Sequence, residues 1–122
     1  MPILEVYSAI APKDLKSFIK RLSAVFAEQI GKPESFCLVT FSKVDSLVFN
    51  GTDEPGYLCK VISIGHIEND RNSKLTAAIT AELEKELGVS DNRGYFAFSD
   101  IAAENIGTRK TTFANIVRER QK

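Results

Sequence analysis

With no tryptophan, one histidine, one methionine and two cysteines, the sequence is poor in the side chains that build metal sites and nucleophilic triads. Because His66 stands alone, neither a zinc cluster nor a Ser/His/Asp triad can be assembled. Cys37 and Cys59 have no partner at CxxC spacing and fall in apolar runs, which reads as two buried reduced thiols. An excess of either charge is also missing. Sixteen basic and 16 acidic side chains leave a formal net charge of zero. Bulk charge therefore favours neither nucleic acid nor a membrane surface as partner. No stretch approaches the ~20 apolar residues of a membrane span. The opening MPILEVYSAI has no basic leader, and Glu5 interrupts its apolar run. It does not read as a secretory signal, so the default compartment is the cytoplasm. GHIEND lacks phosphate-cradling spacing, and His66 reads as a loop or strand-end residue.

What the chain does have is apolar periodicity. Its 122 residues are 43% hydrophobic, enough for the core of a single domain spanning residues 1–122. Residues 3–8 alternate as a short strand. Pro12 suits the first turn of a helix whose apolar face is Leu15, Phe18, Ile19, Leu22, Val25, Phe26 and Ile30, and Gly31 is its stop. FCLVTF (36–41) and YLCKVISIG (57–65) read as strands, and 46–56 as a short strand running into a turn. Residues 69–88 form a second amphipathic helix with Leu75, Ile79, Leu83 and Leu87 on one stripe and Gly88 at its end. YFAF (95–98) is the next strand.

The two halves echo each other at an offset of 57 residues. Gly31 then lies over Gly88, Glu34 over Asp91 and Phe41 over Phe98. The expected fold is α+β: tandem β-α-β units forming a four-stranded mixed sheet, with two helices on one face. FCLVTF, LCKVISI and YFAF look apolar on both faces, which leaves the second sheet face needing cover. Further copies of the same chain with closed symmetry are the simplest cover.

Pro2 raises a separate question. A small second residue lets the initiator methionine be trimmed, and the proline would then carry a free secondary amine. Position alone leaves two readings, an inert chain end or a reactive amine. Further residues bear on the choice: GKPE (31–34) after the first helix, SIG (63–65) after the turn TDEPG, SKL (73–75), RGYF (93–96) and NIG…TTF (105–113). With Pro2, this pattern resembles macrophage migration inhibitory factor and D-dopachrome tautomerase, of the tautomerase superfamily, from Met1 to about Phe113. Residues 114–122 extend past the usual ending and suit one or two helical turns, with Ile116 and Val117 packing back.

The resemblance implies a homotrimer whose sheets line a central channel, with a pocket at each subunit interface and no cofactor. It implies that Pro2 is the base of a keto–enol tautomerisation acting on small aromatic keto or enol acids such as phenylpyruvate or dopachrome. Burial among apolar side chains and a nearby lysine would both depress the proline amine toward neutral pH. The resemblance gives Lys32 the substrate carboxylate, where its plain reading is the carbonyl end of the first helix. Ile64 would lend its backbone amide, with Ser63 beside it; both also read as ordinary strand residues. Tyr95 would come from the neighbouring subunit, or else pack in the core. Phe113, Ile106 and Phe36 are candidate apolar walls. The sequence departs from the family in four places. Ala97 stands where many members have asparagine, and Thr108 where an aromatic is common. In place of an NG turn the chain has Arg109 and Lys110, which predicts a more polar, cationic pocket rim. Gly56 replaces the first cysteine of the family's CxxC pair, so dithiol redox chemistry is not expected. A second reading is a cytokine-like protein, exported without a signal peptide, whose trimer binds a cell-surface receptor above a weak or vestigial pocket. A third is a trimeric binding module without catalysis.

Overall fold

A computed structural model of the chain describes residues 1–120. Its strands and helices in chain order are β1 (Ile3–Ser8), α1 (Leu15–Ile30), β2 (Leu38–Lys43), β3 (Tyr57–Ser63), α2 (Asn69–Leu87), β4 (Gly94–Asp100), β5 (Gly107–Thr108), β6 (Thr111–Thr112) and α3 (Phe113–Arg120). The main sheet runs β2-β1-β3-β4. β1 pairs in parallel with β2 and β3 with β4, while the central pair β1–β3 is antiparallel. Two parallel β-α-β units therefore meet back to back in one mixed sheet, as the internal echo predicts. No helix among the described residues is long and apolar enough to cross a membrane.

Alternation along the central strands sets the core. Leu4, Val6, Tyr57, Cys59 and Val61 point to the helices and are buried against Phe18, Leu22, Phe26, Ile30, Leu75, Ile79 and Leu83. Phe41 and Phe98 pack partly buried against this cluster from the two outer strands. Asp14 caps α1 by accepting from the Ser17 amide at 3.2 Å. The helix therefore starts at Leu15 rather than at Pro12, because the first free amides find their acceptor only there. Both helices end as expected on left-handed glycines, Gly31 at φ 71° and Gly88 at φ 68°. Arg21 Nε holds both carboxylate oxygens of Glu82, at 2.9 and 2.7 Å, and ties α1 to α2.

Three expectations need correction. The second strand begins at Leu38, not Phe36. After Pro33 the chain takes a short 3-10 turn over Glu34–Phe36, with the Cys37 amide donating to the Glu34 carbonyl at 3.0 Å. Residues 46–56 form no strand. They hold one isolated bridge, Phe49–Thr52, across Asn50 and Gly51, both with positive φ. A side chain holds them as well: Arg93 donates to Phe49 O and Glu54 O at 2.6 Å each, and its guanidinium lies 5.3 Å from the Phe49 ring. The open sheet face, finally, is not apolar throughout. Across the four strands, Leu38, Ile3, Ile62 and Ser99 form one row; Thr40, Glu5, Lys60 and Ala97 form a second; Ser42, Tyr7, Leu58 and Tyr95 form a third. The middle row sets Glu5 opposite Lys60.

The C-terminal extension is helical, as expected, through the described Arg120; residues 121–122 lie outside the described residues. Ile116 packs back, whereas Val117 is 43% exposed.

Candidate active site

The end of the sheet where β1 starts gathers three connections. The Pro2 carbonyl accepts from the Leu38 amide at 3.0 Å, which fixes the chain start to the entry of β2. Pro2 is buried. Lys32, one residue past the α1 cap, donates to the Ile64 carbonyl at 2.5 Å, just past the end of β3. Desolvation lowers the Lys32 pKa, partly offset by Asp100. The Met1 amine is held below its usual value by burial first and by the Lys32 ammonium second.

The peptide linking Ser63 to Ile64 has a direction. Ser63 O accepts from Ile101 N at 2.9 Å, on the β4 side. In a trans peptide the following N–H points the opposite way, so the Ile64 amide is aimed toward the β1 side, where the chain starts. Asp100 Oδ1 accepts from Gly65 N at 2.9 Å and pins the same turn. The Ser63 side chain is buried on the helix side of the sheet, and its hydroxyl has no partner among the described residues.

Beside Met1 opens a cavity of about 370 Å³, walled by Phe36, Cys37, Leu38, Thr108, Phe113 and Ile116, with Arg109 and Arg120 also on its lining. Phe36 and Phe113 stand where the sequence reading put apolar walls; Ile106 is not on the lining. Cys59 is fully buried as expected, whereas Cys37 is only half-buried and faces this cavity. Its thiol is pushed up chiefly by desolvation. A wider groove of about 680 Å³ separates α2 from β4, but no lysine or arginine lines it and it lies away from Pro2.

Tyr95 does not join this cavity. It pairs with Leu58, which pairs with Tyr7, at the far end of the sheet from Pro2. It is 70% exposed, its ring 5.3 Å from that of Phe49. One chain thus brings Pro2, Lys32, Ile64 and Phe113 to one end and leaves Tyr95 at the other. Sequence reasoning missed Leu38, Ile116 and Arg120 on the cavity wall. The signal for Ile116 was present in the expected packing of the extension; for Arg120 the sequence reading gave no role. His66 caps a helix: its Nδ1 donates to the Ile30 carbonyl at 2.8 Å.

The four-stranded mixed sheet with its two paired helices defines a tautomerase fold, with a cavity opening at the chain start. The family profile of macrophage migration inhibitory factor (MIF) matches residues 1–114. The macrophage migration inhibitory factor homolog of Trichinella spiralis is 32% identical over 114 residues, covering 93% of this chain and 100% of its own. The Mus musculus protein is 30% identical over 99 residues, covering 81% and 86%. Among solved structures, macrophage migration inhibitory factor from Toxoplasma gondii superposes with a TM-score of 0.85 at 28% identity, covering 90% of this chain and 98% of its own. The homologue from Prochlorococcus marinus gives 0.86 at 28% identity, covering 91% and 98%. The chain belongs to the macrophage migration inhibitory factor family.

Proposed function

We propose that this protein is a keto–enol tautomerase, an isomerase that uses Pro2 as its base once Met1 is removed. The observation that carries the reading is the buried Pro2 beside a largely apolar cavity, with a partly desolvated Lys32 near the chain start. The surroundings that depress the Met1 amine would act in the same sense on a Pro2 amine, since burial and a neighbouring cation both disfavour its charged form. Neutral at physiological pH, that amine takes a proton from the carbon next to the keto group and returns it to the other end of the enol system. Lys32 has three donor hydrogens, and one on Ile64 O leaves two for the substrate carboxylate. The Ile64 amide points to the same side and supplies a second donor. Phe36 and Phe113 take the aromatic ring of a phenylpyruvate-like acid.

The functional unit is a homotrimer formed from one domain, residues 1–122, with Ile116 and Arg120 of the C-terminal extension on the pocket wall. Tyr95 reaches the Pro2 pocket from a neighbouring subunit, because its own chain holds it at the opposite end of the sheet. The protein works in the cytoplasm or, after export, outside the cell. Ala97 and Thr108 favour a second reading, in which catalysis is weak and the trimer surface serves a cell-surface receptor.

Phenylpyruvate tautomerisation by the wild type, measured with Pro2→Gly beside it, tests the enzyme reading. Activity should fall at least about a hundredfold in the variant, the scale of a lost general base. A variant with full activity, or an intact mass that retains Met1, overturns it.

A further inference from the structure

The cavity has a charge asymmetry that a single-acid substrate leaves unused. Arg109 and Arg120 both line it, and no Asp or Glu does. Among the described residues neither guanidinium has a carboxylate partner; the ion pairs there are Arg21–Glu82 and Arg71–Glu68. The two arginines arrive by unrelated routes. Arg109 opens the two-residue turn between β5 and β6, and Arg120 lies in the last turn of α3, beyond the residues matched by the family profile.

The backbone of that turn is a second, independent observation. Arg109 sits at φ 53° and Lys110 at φ 65°, both left-handed. A two-residue hairpin turn of this type needs positive φ twice, and Asn-Gly meets the need with little strain. This chain keeps the backbone shape but fills it with two long L side chains. Such strain concentrates where a ligand is clamped. Here its consequence is a guanidinium at the cavity.

We infer that the substrate of this site is a keto acid with a second carboxylate, separated from the first by an apolar spacer, and that Arg109 and Arg120 read that second acid. This rests on the tautomerase reading above and specifies its substrate class. Two planar guanidinium forks match a carboxylate edge, and Phe36, Phe113 and Ile116 supply the apolar wall for the spacer.

The test compares phenylpyruvate with 4-carboxyphenylpyruvate on the full chain. The ratio of kcat/KM, diacid over monoacid, should exceed one in the wild type. It should fall about tenfold in Arg109→Asn, whose asparagine tolerates left-handed φ, and in Arg120→Gln, which keeps a good helix former. Lys110→Gly, which relieves strain without removing a cavity cation, should leave the ratio in place. A parallel calorimetric arm needs no turnover: terephthalate should bind more tightly than benzoate, and both arginine variants should erase the difference. A ratio unmoved by both substitutions, or terephthalate binding no better than benzoate, overturns the inference. Tight, arginine-dependent terephthalate binding without turnover of either keto acid would overturn the proline-base reading and the substrate assignment with it, while keeping Arg109 and Arg120 as the pair that reads the second carboxylate.

Discussion

Lys32 serves two neighbours at once, and its removal should be visible in a pH profile. Its ammonium bonds Ile64 O and disfavours a proton on the nearby chain-start amine. Lys32→Ala deletes that repulsion, so the amine holds its proton to higher pH. The acid limb of kcat/KM should move upward by about one unit or less, with KM raised by loss of the carboxylate's partner. An acid limb that stays put or moves down would separate Lys32 from the base. Cys59 gives a stability prediction of similar kind. Fully buried, its thiol is pushed far above the ordinary value of 9.0 by desolvation. Above pH 9 the unfolded chain therefore releases a proton that the folded chain keeps, so the unfolded state binds fewer protons and stability falls with rising pH. The slope approaches about 1.4 kcal/mol per pH unit. Below pH 8 Cys59→Ala should be less stable than wild type by a constant margin, from the cavity it leaves. Above pH 9 that margin should shrink. Melting temperatures of both proteins across pH 7–10.5 check it.

At the scale of elements, the turn into β4 is held by two neighbours, Arg93 and Gly94. Arg93 ties the 49–55 loop down through carbonyls that have no strand to pair with. Arg93→Ala should leave the four-stranded sheet protected in hydrogen exchange while amides 49–54 exchange faster. Equal protection in that loop would mean the guanidinium is incidental. Gly94 is required for closeness rather than for φ. A Cβ there would lie 2.3 Å from Tyr57 O and 2.5 Å from the Tyr57 ring, itself buried against the sheet. Gly94→Ala should destabilise the fold by about 1–3 kcal/mol in denaturant unfolding, as overpacking does.

The whole molecule is governed by its uncovered sheet face. Its apolar row (Leu38, Ile3, Ile62) and its aromatic row (Tyr7, Leu58, Tyr95) flank the charged Glu5–Lys60 row, and the proposed trimer covers these apolar and aromatic rows. The proposed trimer predicts a solution mass three times the chain's 13.5 kDa by light scattering. It also predicts complementation. Pro2→Gly and Tyr95→Ala chains, each impaired alone, should regain activity when refolded together. Random mixing gives about a quarter of the pockets an intact Pro2 facing an intact Tyr95 from a neighbour. A mixture no better than the average of its components would mean that the two residues do not share a pocket across subunits.

The sequence by itself determined the order of the two helices and of the four strands of the main sheet, and both helix stops. These are local matters, set by period and by glycines that accept left-handed φ. It also contained the chain-start pattern of Pro2, GKPE and SIG that marks the family. Only the tertiary structure decided that 46–56 is a pinned loop, that Cys37 faces a cavity, that Arg120 belongs to its wall, and that Tyr95 lies at the far end of the sheet. Each of these depends on residues far apart in the chain. Periodicity reports which face a side chain occupies, while hydrogen-bond partners and cavity walls are chosen by elements that meet only when the chain has folded.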